Sequence, residues 1–496
     1  MSFGGLDVGT TVARLLVFDE EGREIASAYG EYPLLTEGGY LEVSPERLWS
    51  AVCGVCREAS AEVTGDPIKS LAVSAMGDSL FVTDGALQPA ANVILAFDTR
   101  SKDACARLAD ALGFERWHEA TGMPAHSMAT ATKIAWYLSE RQSRNLRFLC
   151  AEDFVIGKLT GNPVMSWTTA ARTMLFDVGN KRWWRPVLDL IGIDENALSR
   201  VEPCASVAGT IARSAVEETG LDIQTRVVTG GHDQICSAIG SGAVRDGIVS
   251  DNTGTFECVI AAIAGSRRSA VDRAALAGNN LALYPHGPQG LWAAFAWFNA
   301  GSLVTWCRDV FFYGEDREEK GSGVFKRMFA ALPEGPGKVW VLPHFTGSGT
   351  PWLDSDATGV FTGLNLGTTR REIFKGILEG IGYDLMANLA AMEEAGVPAQ
   401  RIRASGGGSR SAAWCQLKAD MTGKEVTVVD NPEGSALGAA VCAAAAVGIF
   451  GSIEEGADRM VTLGKTYTPD GGRHDAYREG FNHYRRLVGL LGRPQR

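Results

Sequence analysis

Four short stretches carry the residue types that chemistry needs. Gly230-Gly231-His232-Asp233-Gln234 follows the β-branched run Val227-Val228-Thr229, so the glycine pair turns the chain sharply at a strand end and sets Asp233 at an edge rather than in a core. A carboxylate there can accept a proton from a substrate, and it can equally cap a helix over residues 234–240. Asp7-Val8-Gly9-Thr10-Thr11 and Asn252-Thr253-Gly254-Thr255 are turns rich in Gly and Thr, which offer backbone N–H groups and hydroxyls to a polyphosphate. Asp7, at the first strand end, is suited to hold a hydrated Mg²⁺. Last, the strand-like Arg401-Ile402-Arg403-Ala404-Ser405 meets Gly406-Gly407-Gly408-Ser409 just before a helix starting near Ser411. Strand, glycine triplet and helix start let backbone approach a nucleotide closely, although such turns also exist for packing alone. No GxxxxGK[ST] loop is present, which excludes the P-loop class on its own motif. A nicotinamide enzyme is disfavoured, because no strand-linked GxGxxG is followed by an acidic residue about 20 positions on.

The elements that must position these residues read as α/β. Strands over 3–7, 13–19 and 24–32, separated by polar turns, predict a three-strand antiparallel meander. Ser44 and Pro45 open a helix as N-cap and first residue, and strand-like runs follow at 68–73, 79–83 and 93–96. Residues 100–226 are mostly helical, with Trp117, Trp136, Trp167, Trp183 and Trp184 for bulk, and read as a substrate-facing insertion or cap. A second cycle begins at Ile248, where Thr253-Gly254-Thr255 echoes Gly9-Thr10-Thr11. The expected division is therefore 1–246 and 247–496. In the second part helices are predicted over 297–311 and 370–394, and a strand over 339–344 runs into a glycine-rich loop.

With 496 residues the chain is too long for one ordinary core. A net charge of −11, without a basic cluster, argues against nucleic acid as a partner. Ten dispersed cysteines suit a reducing compartment, so the expected location is the cytoplasm. Cys53 and Cys56 lie one turn apart in the helical run 46–63, and with no second pair nearby the structural reading is preferred over zinc or redox chemistry. No signal peptide is apparent at Met1, and the alanine-rich run 436–450 is shorter than the ~20 residues that span a bilayer. It reads as a buried helix, and no membrane partner is expected.

These motifs resemble those of the FGGY carbohydrate kinases, a branch of the actin-like ATPase superfamily, over nearly the whole chain. The resemblance rests on Gly5-Leu6-Asp7-Val8-Gly9-Thr10-Thr11; on TATKIAWYLSE over 130–140, close to the family's Lys-x-x-Trp element; and on Gly230 to Gln234. In the second half it rests on Gly254-Thr255-Phe256, GVFTGLNLGTTRREIFKGILE over 359–379, SGGGSRSAAWCQLKAD over 405–420 and EGSALGAA over 433–440, all in the family's order. It implies two ribonuclease-H-like (actin-like ATPase) α/β domains around a central cleft where ATP and a small sugar or polyol meet. It further implies Asp233 as the general base; Asp7, with Asp233 beside it, as the Mg²⁺ site; and Thr10, Thr11, Gly254 and Thr255 along the phosphates. Gly407, Gly408 and Ser411 would border the adenosine, while Met76, Gly77, Asp78, Asp98, Gln234 and Phe256 would line the sugar. Phosphoryl transfer needs positioning and charge neutralisation more than covalent chemistry, which such a kit supplies.

The substrate segments depart from the xylulose-kinase pattern. Asp78 stands where those enzymes tend to have His, and Ala96 where they tend to have Trp; the glycerol branch has Glu at the Asp78 place. Asp78 can accept two sugar hydroxyls or serve as a turn residue, and Phe256 can be cleft wall or core. His232 is not expected to bind metal, since no second histidine lies at ligand spacing. The implied reaction is ATP-dependent phosphorylation of a hydroxyl of a small ketose or polyol, either a ketopentose such as xylulose or an alditol. Kinases for an aldonate or for glycerol are the nearest alternatives. A non-catalytic actin-like nucleotide switch is the rival of another class, and it would not need Asp233, Asp78 or Asp98. A homodimer is compatible with the sequence.

Overall fold

The computed structural model describes residues 1–141, 145–312, 322–330, 332–333 and 335–491. The first strands, β1 (Phe3–Val8), β2 (Val12–Phe18) and β3 (Glu24–Glu31), form the expected antiparallel meander, and the Gly9 N–H closes its first turn on Val12 O at 2.9 Å. Helix α1 (Pro45–Glu62) starts as predicted, with the Ser44 hydroxyl accepting from Arg47 N. It buries Cys53 and Cys56 along one face, where burial pushes the Cys53 thiol up to about 12. The helix carries the chain back, so β4 (Ser70–Ala75) pairs parallel with β1. This strand begins two residues after the predicted run, and the predicted strands near 81 and 93 belong to separate two-stranded pairs.

Helices α2 (Thr130–Glu140) and α3 (Trp167–Arg172) belong to the helical insertion. Then β5 (Val207–Thr210) and β6 (Arg226–His232) complete a six-stranded sheet in the order β5-β6-β4-β1-β2-β3, and α4 (Asp233–Gly240) leaves the end of β6. The second sheet has seven strands: β7 (Ile248–Thr253), β8 (Phe256–Ala264), β9 (Ala282–Pro285), β10 (Leu291–Asn299), β11 (Arg401–Gly406), β12 (Glu425–Val429) and β13 (Leu463–Tyr467). Their order is β9-β10-β8-β7-β11-β12-β13. Here β7 hairpins with β8 and pairs parallel with β11, as β1 does with β2 and β4, so the two Gly/Thr turns are equivalent points of one repeated design.

The helices of this half include α5 (Gly301–Phe311), α6 (Ser322–Ala330), α7 (Arg370–Glu394), α8 (Ala412–Thr422), α9 (Gly434–Ala446) and α10 (Gly471–Leu491), besides shorter ones over Arg273–Gly278 and Ile453–Met460. The helix expected from residue 297 starts later, because Trp297, Phe298 and Asn299 finish β10 opposite Cys258, Glu257 and Phe256. One helix also crosses the expected 246/247 division. Helix α9 is the alanine-rich run, and it lies buried on the first sheet and against α4, with Ser70 Oγ donating to Ala443 O at 2.8 Å. That contact needs backbone against backbone: a Cβ on Gly438 would stand 1.8 Å from Cys236 O, one on Gly240 2.0 Å from Gly434 O, and one on Gly5 1.8 Å from Ala436 O. The 247–496 part therefore lends one helix to the first domain.

Gly438→Ala should consequently cost roughly 3 kcal/mol or more and lower the melting temperature, because backbone rather than a flexible side chain must move. Gly54→Ala in α1, with nothing within 4 Å of the added methyl, should be neutral or gain about 0.5–1 kcal/mol. Calorimetry on the pair checks both signs.

Candidate active site

The end of β6 is shaped so that glycine alone fits. A Cβ on Gly230 would lie 2.4 Å from Val73 O, and Gly231 takes φ +140° with Thr168 Oγ1 2.5 Å from where its Cβ would be. The register against β4 shifts there, and Asp233 emerges as the first residue of α4, one place after the cap position held by His232. A quarter of the Asp233 side chain remains open to the cleft, and His232 Nε2 lies 3.2 Å from its Oδ1. Burial, then the negative charge of Asp7, raises the Asp233 carboxyl to about 7, against the opposing Gln234 N–H and Arg172. Burial and Arg172 hold His232 well below its usual range, so its ring is neutral. Gly77 makes room for that ring, since a Cβ there would meet His232 Cδ2 at 2.8 Å.

Asp7 ends β1 buried, with Ser74 Oγ donating to Oδ1 at 2.7 Å and Arg14 Nε to Oδ2 at 2.9 Å. Arg14 Nη1 reaches Glu433 Oε2 at 2.5 Å, at the start of α9, and Ser435 Oγ donates to Asp233 O at 3.1 Å. The Thr10-Thr11 tip and the Gly254-Thr255 tip are both exposed. The second is held by the start of α5, where Gly301 N bonds Gly254 O at 3.0 Å and Ser302 N bonds Thr255 O at 3.1 Å. Beneath it, Lys418 Nζ binds Asp251 Oδ2 at 2.6 Å, Thr253 Oγ1 at 2.7 Å and Glu257 Oε1 at 3.1 Å. Burial and then Asp251 raise Glu257 to about 8, while the two carboxylates push Lys418 up despite its burial. Gly407, Gly408 and Ser411 join Gly254, Thr255 and Phe329 around an open cavity with about 1980 Å³ of empty space. Ser411 also caps α8, accepting from Trp414 N at 3.2 Å, and Trp414 stacks on Phe329.

On the other side of Asp233, a narrower pocket with about 430 Å³ of empty space is lined by Asp78, His126 and Arg172 from the first half and Asn280, Trp297 and Thr350 from the second. Asp78 is no solvent turn. It is buried at φ +60°, its Oδ2 accepts from Arg172 Nη2 at 2.5 Å and Nε at 3.2 Å, and its carbonyl accepts from Lys133 Nζ at 2.6 Å. Burial lowers that lysine to about 8. Met76 and Gly77 are buried just before Asp78 and do not line the pocket. Two further residues expected at the substrate, Asp98 and Gln234, are not among those lining this pocket. Asp98 is fully engaged by Arg100 and by Leu41 N, at 2.7 to 2.9 Å. Burial alone would raise its carboxyl, but these donors hold it below the usual range. Gln234 turns instead to Asn252, whose Nδ2 approaches its Oε1 at 3.4 Å across the cleft. Phe256 is half-buried, stacked on Phe97 at 5.4 Å with Trp297 edge-on at 5.5 Å.

Two sequence comparisons fall on this geometry. Residues 2–240 match the N-terminal domain and residues 252–447 the C-terminal domain of the FGGY family of carbohydrate kinases. The chain belongs to that family. Relatives include a xylulose kinase of Staphylococcus epidermidis, 27% identical over 484 residues and spanning 97% of this chain and 95% of that one. A glycerol kinase of Polaromonas naphthalenivorans is 30% identical over 476 residues, 91% of each chain, and the gluconokinase of Bacillus subtilis is 25% identical over 498 residues, 98% and 94%. Among solved structures, gluconate kinase and ligand-bound xylulose kinase from Lactobacillus acidophilus share the fold, each with a TM-score of 0.89 over 99% of this chain and 98% of theirs, at 23% and 24% identity. This FGGY kinase is thus a phosphotransferase acting on a sugar or polyol, with ATP as the family's donor. Among the described residues no helix is long and apolar enough to cross a membrane.

Sequence reasoning missed Arg172, His126, Asn280, Trp297, Arg14 and Lys418. Lys418 had a local signal as part of the 405–420 motif and Arg14 as the residue opposite Asp7 in the first hairpin; the others reach the site by tertiary pairing. In this kinase, Arg172→Met should strand the Asp78 carboxylate and cost about 3–5 kcal/mol. Asp78→Asn combined with Arg172→Gln should recover part of that loss. Thermal melts of the single and double variants check the order.

Proposed function

We propose that this FGGY kinase phosphorylates a hydroxyl of a small neutral ketose or polyol, a ketopentose such as xylulose or an alditol, with Asp233 as general base. The observation that carries the reading is the placement of Asp233. Its carboxyl, raised to about 7, lies within electrostatic reach of Asp7 on one side and of Arg172 and Asp78 on the other. The acceptor hydroxyl would give its proton to Asp233 as its oxygen bonds to the γ-phosphorus, and the bond to the ADP oxygen breaks. Thr10, Thr11, Gly254 and Thr255 would cradle the phosphates, and Gly407, Gly408 and Ser411 would border the adenosine. His232 Nε2, close to Oδ1, would leave the second carboxylate oxygen for the substrate.

Mg²⁺ fits the residues present. Asp7 and Asp233 place two carboxylates near each other, and each Asp7 oxygen already holds one donor. That suits a hydrated ion bound through water and phosphate oxygens, since Mg²⁺ keeps several waters and takes only one or two carboxylates. Bound there, it would offset phosphate charge.

The pocket chemistry favours a neutral substrate. Arg172 is already neutralised by Asp78, His126 accepts Met128 N on Nδ1 and so presents Nε2–H, and Asn280 spends Nδ2 on Pro351 O. What remains is a balanced set of donors and acceptors for hydroxyls, whereas an aldonate carboxylate would face Asp78. Of three named relatives, the xylulose kinase and the glycerol kinase are named for neutral substrates and the gluconokinase for an aldonate.

Because the base must be ionised, kcat/KM is expected to rise with pH through about 7 and level off above it. Asp233→Asn should lower kcat by about 10²- to 10⁴-fold. A coupled ADP-release screen over ketopentoses, ketohexoses, alditols, glycerol and aldonates tests the substrate. A preferred aldonate would overturn the neutral-substrate reading, and ADP release that no sugar stimulates would favour a nucleotide switch.

A further inference from the structure

Away from these residues, where the insertion of the first half meets the edge of the second sheet, three cations gather with little to neutralise them. The contact is held by backbone: Leu283 N bonds Gly122 O at 2.7 Å, and His118 Nε2 lies 3.0 Å from Leu281 O. On the first-half side, a tight turn between the paired strands Phe176–Asp177 and Arg182–Trp183 presents Lys181, at φ +57°. On the second-half side, the 3-10 turn Gly265–Ala270 presents Arg268, and the following helix Arg273–Gly278 presents Arg273. The Lys181 Nζ and the Arg268 Cζ each stand 4.1 Å from the centroid of the same ring, Trp292, and Trp167 flanks Lys181 at 5.3 Å. A Cβ on Gly179 would be 3.6 Å from Arg268 Nη2, so the first-half turn lies directly beside that guanidinium.

The charges are not balanced by carboxylates. Lys181 Nζ donates to Val178 O at 2.7 Å, and among the described residues the Arg268 guanidinium has no hydrogen bond or ion pair. Its Nε is buried without a partner. Asp177, the nearest acid in sequence, spends its oxygens on Gly179 N, Asn180 N and Asn180 Nδ2. Glu119 pairs with Arg273 at 3.8 Å and its carbonyl accepts from Arg273 Nη2, which leaves Lys181 and Arg268 as the two cations without a carboxylate partner among the described residues. Burial and then Arg268 pull Lys181 down to about 7; burial lowers Arg268, with Asp177 and Glu119 offsetting it in part; and burial and then Arg268 lower Arg273. A shared indole attracts each cation but leaves their mutual repulsion in place. A guanidinium with an unused Nε–H, an ammonium and an aromatic floor are the groups that take a tetrahedral oxyanion.

We propose that Lys181 and Arg268, with Arg273 beside them, form a phosphoryl-group binding site at the seam between the two halves, separate from the nucleotide cleft. A phosphate held there ties the turn at 177–182 to the turn at 265–270, and so favours the arrangement in which the halves are together. The same chemistry is offered by inorganic phosphate and by a phosphomonoester such as a sugar phosphate. The site does not depend on which sugar the kinase uses.

Titration calorimetry on the full chain, saturated with MgADP to fill the nucleotide cleft, tests this with inorganic phosphate, methyl phosphate and sulfate. One saturable site is expected, weakened about tenfold by Arg268→Gln and by Lys181→Met, while kcat without added anion is unchanged. Phosphate and methyl phosphate binding alike would mean that a free dianion is enough; a preference for methyl phosphate would point to a phosphorylated metabolite. Sulfate keeps its charge across this range, so its affinity should fall as pH rises through about 7 and Lys181 loses its proton, with Arg268, Arg273, Asp177 and Glu119 as the other charged groups facing it. No saturable binding at millimolar anion overturns the proposal, as does binding that both variants leave intact. An effect matched by chloride at equal ionic strength also overturns it, because that is screening alone.

Discussion

The close contact of α4 with α9 is the constraint on which the rest of this kinase depends. Gly240 and Gly438 let the two helix backbones touch, and Gly5 lets β1 lie directly against α9. Because the helices meet so closely, their first residues open at one place: Asp233 begins α4, and Glu433 and Ser435 sit at the start of α9. Through Arg14, Glu433 is linked to Asp7 at the end of β1, and through its hydroxyl Ser435 is linked to the Asp233 carbonyl. Residues more than 400 positions apart in the chain are thereby held within hydrogen-bond distance of each other. Helix N-termini also carry partial positive charge, which suits a place where phosphate charge must be offset.

Around that junction several buried carboxylates have a cationic partner. Asp78 has Arg172, Asp98 has Arg100, and Asp251 and Glu257 share Lys418. Pairing of this kind fixes geometry more than it adds stability, since taking both ions out of water offsets much of their attraction. Asp233 differs. Its neighbours are the neutral His232 and the like-charged Asp7, and its carboxyl is raised by burial rather than lowered by a partner. A carboxylate kept unpaired in a cleft is poised for proton transfer, whereas a paired one is committed to structure.

Much of this was legible locally. The meander of β1 to β3, the Ser44 cap, the strand–glycine–helix turn at 401–411 and the repeat of the two Gly/Thr hairpins all follow from neighbouring residues, and each stands as the sequence predicts. What the sequence hides is tertiary. That Asp78 would be taken up by Arg172, 94 positions away, has no local trace. The hold of Arg100 and the Leu41 N–H on Asp98 is equally unmarked, since both are ordinary residues in a polar stretch. The helix predicted from residue 297 begins only at Gly301, because strand pairing with β8 outcompetes helix propensity up to Asn299. Helix α9 was read correctly as buried, but its place on the first sheet depends on glycines whose partners lie in other elements.

The central claim is that one carboxylate, Asp233, stands between the transferred phosphoryl group and the acceptor hydroxyl. A crystal structure with a non-hydrolysable ATP analogue, Mg²⁺ and the best substrate from solution tests it most directly. The account predicts the acceptor hydroxyl within hydrogen-bond distance of the Asp233 carboxylate and in line with the γ-phosphorus, with the rest of the sugar between Asp78–Arg172 and Asn280. A sugar whose reacting hydroxyl is held by another residue, with Asp233 turned away from it, would contradict the account.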